Sequence, residues 1–497
     1  MRSFGRLIKN EFMKLFARPT ALIMLILIPV ITFGFGFVMK MALAQEASWG
    51  RAPASIMQQR IEDLNAEIAN ELDGDPLSSV SPLDQGNTIP TYTPAQELEI
   101  LQYAREKEID PEGWQMQALY DSLTPAAAKA VAEPGTDDYL KYERLEKSFY
   151  TAVQSGDYKQ YLAASKALMD QAPELYDQDT LEVEKEILQL RIDNGIAPVC
   201  RYFTDYYSDT GPWQESVLSD ISSSRRTLLS GMGETGPLTD AEKANLEETV
   251  AIGVHRLQTD NAPVAQDSMF GFLSQASMLV SMLSLFIIII GATMMASEYS
   301  SGTIKLLLIS PHKRWKLFTA KMVSLFLISI AMLALLFVSA LVSGGILFGF
   351  TGAGPYLAYE NGQVTETPYA VMALFRYLLA CPELLVMTSL AVMLAVVMRR
   401  SAVAIGVGTA LLFGGSMISM ILTMLPYDFK RFILFLNTDL SVYFPQLSTG
   451  QLQAMTGNSL PAEGMTVGFS LAVLAVYFIC FTYIALDSFN RRDIKQA

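Results

Sequence analysis

Long apolar stretches that could cross a membrane recur along this chain. Six of them stand out: Thr20–Met39, Ser268–Ser297, Met322–Tyr359, Tyr377–Met398, Ser401–Leu425 and Gly464–Leu486. Within these stretches the one charged residue is Glu383, and the third is long enough for a span and a loop. Because a helix needs about 20 apolar residues to cross a hydrocarbon core about 30 Å thick, the pattern predicts six spans.

The segment between the first two apolar stretches has a different pattern. Its apolar residues recur at spacings of three and four, as they do on one face of a helix. The pattern is strongest in Ile56–Leu72, Ala95–Lys107, Tyr139–Val153, Tyr158–Met169 and Leu181–Ile192. The segment is also long enough to bury a core of its own, so it predicts a separate, mostly helical domain.

Together these patterns predict an all-α polytopic membrane protein with six transmembrane helices and a mostly helical inserted domain. The predicted order is an amphipathic helix at 1–18, a span at 19–44, the inserted domain at 45–267, a span at 268–297, a loop at 298–321, a span at 322–350, a loop at 351–370, a span at 371–398, a turn at 399–401, a span at 402–425, a segment at 426–463, a span at 464–487 and a tail at 488–497.

Composition supports the membrane class and separates the chain into two parts. Hydrophobic residues make up 51% of the chain and charged residues only 17%, which is unusual for a soluble globular protein. The formal net charge is -14. Residues 45–267 carry roughly 40 acidic against roughly 17 basic side chains, so the remainder of the chain is net basic.

The basic residues beside the spans predict the orientation of the chain. Lys and Arg accumulate on the cytoplasmic side of membrane proteins. They form four groups: Arg2, Arg6, Lys9, Lys14 and Arg18; Lys305, Lys313, Arg314, Lys316 and Lys321; Arg399 and Arg400; and Arg491, Arg492 and Lys495. With six spans all four groups fall on one side, so both termini are expected in the cytoplasm and the inserted domain outside the cell.

The N-terminal segment has the pattern of an interfacial amphipathic helix. Phe4, Leu7, Ile8, Phe12, Leu15 and Phe16 fall on one face, and Arg2, Arg6, Lys9, Asn10 and Lys14 lie mostly opposite. Two roles fit this helix equally well. It could be a positively charged anchor at the cytoplasmic membrane surface, or it could contact a cytoplasmic partner.

A cleaved signal peptide is an alternative reading of the same region. Ala42-Leu43-Ala44 before Gln45 has the small-x-small form of a cleavage site. However, the basic leader of about 18 residues and the apolar run of about 20 are both long for a signal peptide. We therefore expect a retained first span.

Few residues in the chain suggest catalysis or metal binding. The sequence has no GxxxxGK[ST] phosphate loop and no HExxH or paired-cysteine zinc motif. His255 and His312 fall on opposite sides of the membrane in the predicted topology, and of the three cysteines only Cys200 lies in the inserted domain. We therefore expect no enzyme activity, no metal site and no cofactor in this chain.

Arg376 and Glu383 are the notable charges near the outer end of the fourth span. An ionisable group at that depth is costly unless it is paired or hydrated. The two residues are candidates for a translocation path, and the alternative places them at the headgroups and in a hydrated vestibule.

The loop between the second and third predicted spans is the most specific feature of the sequence. It reads EYSSGTIKLLLISPHKRWKLFTAK over residues 298–321. The residues at Glu298, Gly302, Thr303, Ile304, Leu308, Pro311, Arg314 and Lys321 make it similar to the signature loop of ABC-2 type transporter permeases. The amphipathic leader, the large insertion after the first span and the broken apolar segment at 432–447 extend the resemblance.

This resemblance implies a permease subunit of an ATP-driven exporter. The loop would be a coupling helix that fits a groove of a separate cytoplasmic ABC ATPase, on which Mg-ATP binds. A second permease copy or a paralogue would complete a dimer, and residues 426–463 would form external re-entrant helices. The expected location is a bacterial plasma membrane, with membrane lipid around the spans and no nucleic-acid partner. The expected substrate is an amphiphile, a peptide, a lipid-linked compound or a drug.

Two other classes of function remain open. The inserted domain could bind an extracellular peptide in a membrane sensor or immunity protein, with the loop as a signalling segment or merely as a basic connector. A channel or secondary transporter would need ion-coordinating residues or inverted repeats, and neither is evident in the sequence.

Overall fold

The computed structural model describes residues 2–16, 18–49, 52–72, 91–200, 202–203, 212–233, 236–300, 314–350, 354–360, 362–423, 428–444 and 465–491. The chain forms two compact units. The first, the helical bundle, comprises Met1–Met41, Val264–Ala358 and Thr365–Ala497. The second, the inserted domain, comprises Ala42–Pro263 and Tyr359–Val364.

The described residues are mostly helical. The helices are α1 Arg2–Phe16, α2 Pro19–Trp49, α3 Pro53–Leu72, α4 Pro94–Glu106, α5 Trp114–Val131, α6 Asp137–Ser155, α7 Tyr158–Gln171, α8 Leu181–Asn194, α9 Trp213–Ser230, α10 Asp240–Thr259, α11 Met269–Gln275, α12 Val280–Ser300, α13 Arg314–Phe348, α14 Tyr369–Leu379, α15 Cys381–Met398, α16 Ser401–Thr423 and α17 Val467–Arg491.

Short strands add a small departure from the expected all-α fold. They are β1 Met232–Gly233, β2 Gly236–Pro237, β3 Tyr356–Glu360 and β4 Gln363–Thr367. They form two sheets of two strands each, β1 with β2 and β3 with β4. The second sheet falls within the predicted loop at 351–370.

Five helical segments in the described residues are long and apolar enough to cross a membrane. They are Pro19–Gln45, Met269–Met295, Arg314–Phe348, Tyr369–Met398 and Val467–Asn490. The span predicted at 402–425 coincides with α16, whose qualifying apolar part, Ser401–Gly415, is shorter. The structure therefore supports a helical membrane protein with five candidate spans, one fewer than the sequence predicts.

Two of these spans are broken in ways that the apolar pattern does not reveal. A 3-10 turn at Ala276–Leu279 separates α11 from α12. In the fourth span, α14 ends at Leu379 and α15 begins at Cys381, directly before Pro382. Proline lacks a backbone N–H and is tolerated in the first turn of a helix, so Pro382 suits the start of α15.

The helix boundaries in the structure also differ from the predicted boundaries of two loops. The third span begins at Arg314, inside the loop predicted at 298–321. The segment predicted at 426–463 contains three 3-10 helices, Asp428–Phe432, Leu434–Leu436 and Leu440–Tyr443. Its residues 445–463 lie outside the described residues.

The core of the helical bundle is built around α15. This helix packs against α12 and α17, and α12 also contacts α16. Ile288 and Val392 are fully buried in the cluster that these helices share. The burial of such side chains fixes the helices that carry the polar groups described below.

The inserted domain is a separate helical fold with its own core. Phe149, Leu64 and Ile100 are fully buried in its main hydrophobic cluster. Capping residues set several helix starts: Thr93 forms a capping box with Gln96 at α4, as Thr239 and Glu242 do at α10. Five of its helices match the segments predicted from apolar spacing.

Candidate functional site

The predicted coupling loop lies largely outside the described residues. Gly302, Thr303, Ile304, Leu308 and Pro311 all fall in residues 301–313. Glu298 lies in the last turn of α12, the helix that precedes the loop. Arg314 and Lys321 lie in α13, the helix that follows it.

Arg314 opens α13 and links it to the last helix. Its guanidinium donates a hydrogen bond of 3.1 Å to the carbonyl oxygen of Asn490 in α17. The start of α13 is therefore joined to the end of α17.

Lys321 is buried and paired with a residue of the N-terminal helix. Its Nζ lies 2.7 Å from Oε2 of Glu11, and the two side chains are only 1% and 5% exposed. Lys14 donates to the other oxygen of Glu11 at 2.8 Å. The ammonium of Lys321 is thus directed into the bundle and not toward a surface, where an ATPase could bind it.

Further contacts attach the N-terminal segment to both helices that flank the loop. Ser324 in α13 donates through its hydroxyl to the carbonyl oxygen of Ile8 at 3.3 Å. Arg18 donates to the carbonyl oxygen of Thr293 in α12 at 3.1 Å. Leu15 is 1% exposed in the bundle core. We call this set of contacts around Glu11 and Lys321 the N-terminal clamp.

The charges in the N-terminal clamp keep Glu11 ionised. Burial alone raises the pKa of this carboxyl, but the charges and hydrogen bonds of Lys321 and Lys14 outweigh burial and hold the pKa below its ordinary value of 4.5. A buried ion pair contributes little net stability, yet the loss of one partner is costly. The pair therefore specifies the position of α1 more than it stabilises the fold.

A second group of polar side chains lies within the candidate spans. Ser284 in α12 donates to Oε1 of Glu383 at 2.9 Å. Arg376, only 6% exposed, donates to the hydroxyl of Ser274 in α11. Both charged residues of the fourth span thus bond to hydroxyls of the second span, and no bond between Arg376 and Glu383 is seen in the described residues.

Asp439 connects this polar group to the 3-10 segment. Its carboxylate caps Leu440–Tyr443 by accepting from the backbone N–H of Ser441 at 2.9 Å. It interacts electrostatically with both Arg376 and Glu383. The sequence pointed to the last two residues, and the structure adds Asp439 as the charge near both.

A buried amide anchors the same 3-10 segment to α17. Asn437 is 1% exposed, and its amide donates to the carbonyl oxygens of Arg431 and Ile433 at 2.9 and 2.8 Å. Its side-chain oxygen accepts from Ser470 in α17 at 2.8 Å. The segment that carries Asp439 therefore has a fixed position against the last span.

Metal-ligand clusters are lacking in the part of the chain that the structure describes. No group of three or more His, Cys, Asp or Glu side chains there could hold a metal ion. The polar contacts described above join carboxylates, hydroxyls and buried basic side chains.

Sequence reasoning missed the key residue of the N-terminal clamp. Glu11 is the one acidic residue of the leader and lies at helical spacing from Leu7, Ile8 and Leu15, on the apolar face. An isolated acid on an apolar face signals a buried basic partner, and that signal was available in the sequence.

Comparison with known proteins indicates the class of protein to which this chain belongs, and then its family. The chain is 27% identical over 229 residues to the "Uncharacterized membrane protein YdbK" of Bacillus subtilis (strain 168), a match covering 46% of this chain and 85% of YdbK. With its five apolar helices, the chain is therefore a multi-pass membrane protein.

The family follows from a second relative. The chain is 31% identical over 257 residues to the "Uncharacterized protein YhcI" of the same organism, covering 51% of this chain and 78% of YhcI. The chain belongs to the family of YhcI. A family model described as "Protein of unknown function (DUF2705)" matches residues 256–495, a range that leaves most of the inserted domain outside.

Proposed function

We propose that this chain is the permease subunit of an ATP-driven exporter, coupled through the loop between α12 and α13 to a separate cytoplasmic ATPase. The N-terminal clamp is the observation that carries the proposal. It attaches α1 to α13 through Glu11 with Lys321, and it attaches Arg18, just after α1, to α12 at Thr293. The resemblance of residues 298–321 to the loop of ABC-2 permeases supplies the identity of the partner.

The proposed topology has six spans, with α16 as the fifth, both termini in the cytoplasm and the inserted domain outside the cell. The basic groups beside the spans support this orientation. In this arrangement α1, the loop and the end of α17 share the cytoplasmic face. Mg-ATP binds and is hydrolysed on the partner, and this chain contributes no catalytic residue.

The clamp gives a physical route from the ATPase to the spans. When the ATPase moves the loop, α12 and α13 move at their cytoplasmic ends. Because α1 is bonded to α13 and Arg314 is bonded to α17, the displacement is shared by four elements. Packed helices respond to such a displacement by switching between discrete arrangements.

The proposed path for the substrate passes the polar group at Arg376, Glu383 and Asp439. These charges lie in or beside candidate spans, where ionisable residues typically mark a pathway. An amphiphile, a peptide, a lipid-linked compound or a drug is the substrate class that fits an exporter of this kind. Two copies of the chain, or this chain with a paralogue, make the membrane part of the working unit.

The test is affinity purification of the full chain from its native host in detergent that preserves membrane complexes. The intact chain is compared with a Glu298→Lys, Gly302→Pro double variant. Glu99→Lys, an exposed charge reversal in the inserted domain, serves as the matched control. We expect a phosphate-loop ATPase with the intact chain and with Glu99→Lys, and its loss with the double variant.

Other results would contradict the proposal. Failure of the intact chain to recover any ATPase removes the exporter function. Recovery of a sensor kinase in its place, with loss in the double variant, supports the alternative in which the inserted domain receives a signal.

A further inference from the structure

A large open cleft lies entirely within the inserted domain. Its volume is about 900 Å³, and its walls are formed by α5, α7, α8 and α9. Clefts of about 300–1,000 Å³ are the usual size of small-molecule sites. The cleft can therefore hold a drug-sized compound.

The acidic and basic side chains that line the cleft are unequal in number among the described residues. Arg191 pairs with Glu215 through two hydrogen bonds, and Arg226 pairs with Glu184. Asp121 is the third lining carboxylate. Among the described lining residues three acids stand against two bases, which leaves an excess of one negative charge.

The excess charge is centred on Asp121. Its two oxygens accept hydrogen bonds from uncharged donors, the Tyr161 hydroxyl at 2.6 Å and the Gln117 amide at 2.9 Å. Burial raises the pKa of Asp121 above its ordinary value, although these two hydrogen bonds and the charge of Arg191 oppose the rise. In the part of the domain that the structure describes, no basic side chain bonds to this carboxylate, and Asp121 borders the open cleft.

An exposed aromatic face lies at the edge of the same cleft. Tyr202 is 57% exposed, and its ring stacks on that of Tyr120 with ring centroids 4.0 Å apart. Tyr161 and Tyr176 also line the cleft. Aromatic faces attract organic cations, so the rings and the carboxylate favour the same kind of ligand.

The remaining walls suit an amphipathic body. The face of α9 that lines the cleft presents the hydroxyls of Ser219, Ser222, Ser223 and Thr227. The lining also includes the apolar residues Leu168, Ile187 and Leu188. Specific small-molecule sites combine mostly apolar walls with a few polar groups that fix orientation.

We propose that this cleft binds a small organic cation that carries an apolar body. Its ammonium group sits at the carboxylate of Asp121, its body lies along the apolar wall and its charge also contacts the ring of Tyr202. This site does not depend on the export function, because every residue in it belongs to the inserted domain and its test measures binding alone.

The test uses the full-length chain in lipid nanodiscs and two probes that differ in charge. The probes are radiolabelled 4-phenylbutylamine, a cation at neutral pH, and 4-phenyl-1-butanol, its neutral counterpart. Equilibrium dialysis measures their binding, and the uptake of each probe by empty nanodiscs is subtracted. We expect the intact protein to bind the amine more tightly than the alcohol.

Three variants locate the site. Asp121→Asn keeps the size of the side chain and removes its charge, so it should weaken binding of the amine about tenfold or more and leave the alcohol nearly unchanged. Asp170→Asn, on the exposed face of α7, should bind as the intact protein does. Ser222→Trp places a large ring in the cleft and should reduce binding of both probes.

Several outcomes would overturn the proposal. Equal affinity of the intact protein for the amine and the alcohol would do so, as would an Asp121→Asn variant that keeps the preference for the amine. Binding that survives Ser222→Trp would place the probes elsewhere. Far-ultraviolet circular dichroism of each variant verifies that the helices are retained.

Discussion

At the scale of single residues, the ion pair of Glu11 and Lys321 is the most consequential interaction in the helical bundle. Both side chains are almost fully buried. Removing two charges from water costs several kcal/mol for each ion, and the mutual attraction regains this only with good geometry. The pair therefore makes any other position of α1 unfavourable, because displacement would leave a buried charge without its partner.

A double-mutant cycle tests this interpretation. Glu11→Leu should destabilise the detergent-solubilised protein by about 3–5 kcal/mol, since it leaves the charge of Lys321 buried without its partner. Lys321→Met should cost less, because Lys14 stays bonded to Glu11. The double variant should recover most of that loss. The midpoint of thermal unfolding, followed by tryptophan fluorescence, reports the differences. Additive losses in the double variant would show that the two charges do not act as a pair.

The low pKa of Glu11 predicts how this stability depends on pH. A carboxyl whose pKa is depressed in the folded state stabilises the protein above its unfolded pKa, near 4.5 here. The contribution is lost as the pH falls below that value and through the folded pKa. The intact protein should therefore lose more thermal stability than Glu11→Gln when the pH falls from about 5 to about 3. Parallel losses in the two proteins would contradict the prediction.

At the scale of helices, close packing at glycine positions brings α16 into the bundle. A Cβ at Gly408 would lie 2.7 Å from Cγ2 of Ile288, which is fully buried in α12. A Cβ at Gly406, in the same helix, would meet nothing within 4 Å. Small residues let membrane helices approach closely, so α16 contacts α12 through one of its two neighbouring glycines and not the other.

These two glycines form a matched pair of substitutions. Gly408→Ala should lower the unfolding midpoint, with a cost of about 1–3 kcal/mol typical of overpacking. Gly406→Ala should be neutral or slightly stabilising, because alanine is the better helix former. Thermal unfolding in detergent compares the two variants, and an equal effect of both would mean that α16 does not pack on α12 at Gly408.

The sequence predicted the helices well and the contacts between them less well. Apolar runs are a local signal of length, so the spans at 19–44 and 464–487 have counterparts in α2 and α17. The break at Ala276–Leu279 leaves no such signal, because its residues are as apolar as their neighbours. Lys321 was recognised from the loop pattern. Its partner Glu11 was not, since 310 residues separate the two and no local pattern joins them.

At the scale of the whole molecule, the chain combines two units of opposite character. The inserted domain carries most of the acidic side chains, and the remainder of the chain is net basic. Such segregation matches the rule that places basic residues on the cytoplasmic side. It also concentrates negative charge in the unit that contains the cleft, which favours the arrival of cations there.

Cysteine labelling tests the orientation that this segregation predicts. Thr151→Cys, exposed on α6, should react in intact cells with a maleimide that cannot cross membranes. Lys9→Cys, exposed on α1, should react only after the cells are lysed. The background for both carries serine at Cys200, Cys381 and Cys480. Labelling of Lys9→Cys in intact cells would place α1 outside and reverse the proposed topology.

The N-terminal clamp has a consequence for how the protein is made. A ribosome that adds roughly 5–20 residues per second needs between about 15 and 60 s to pass from Glu11 to Lys321, which stand 310 residues apart. During that interval the whole inserted domain is synthesised, and α1 cannot yet pair with α13. The helix α1, which is made before the inserted domain, therefore completes its native contacts only after that domain has been made.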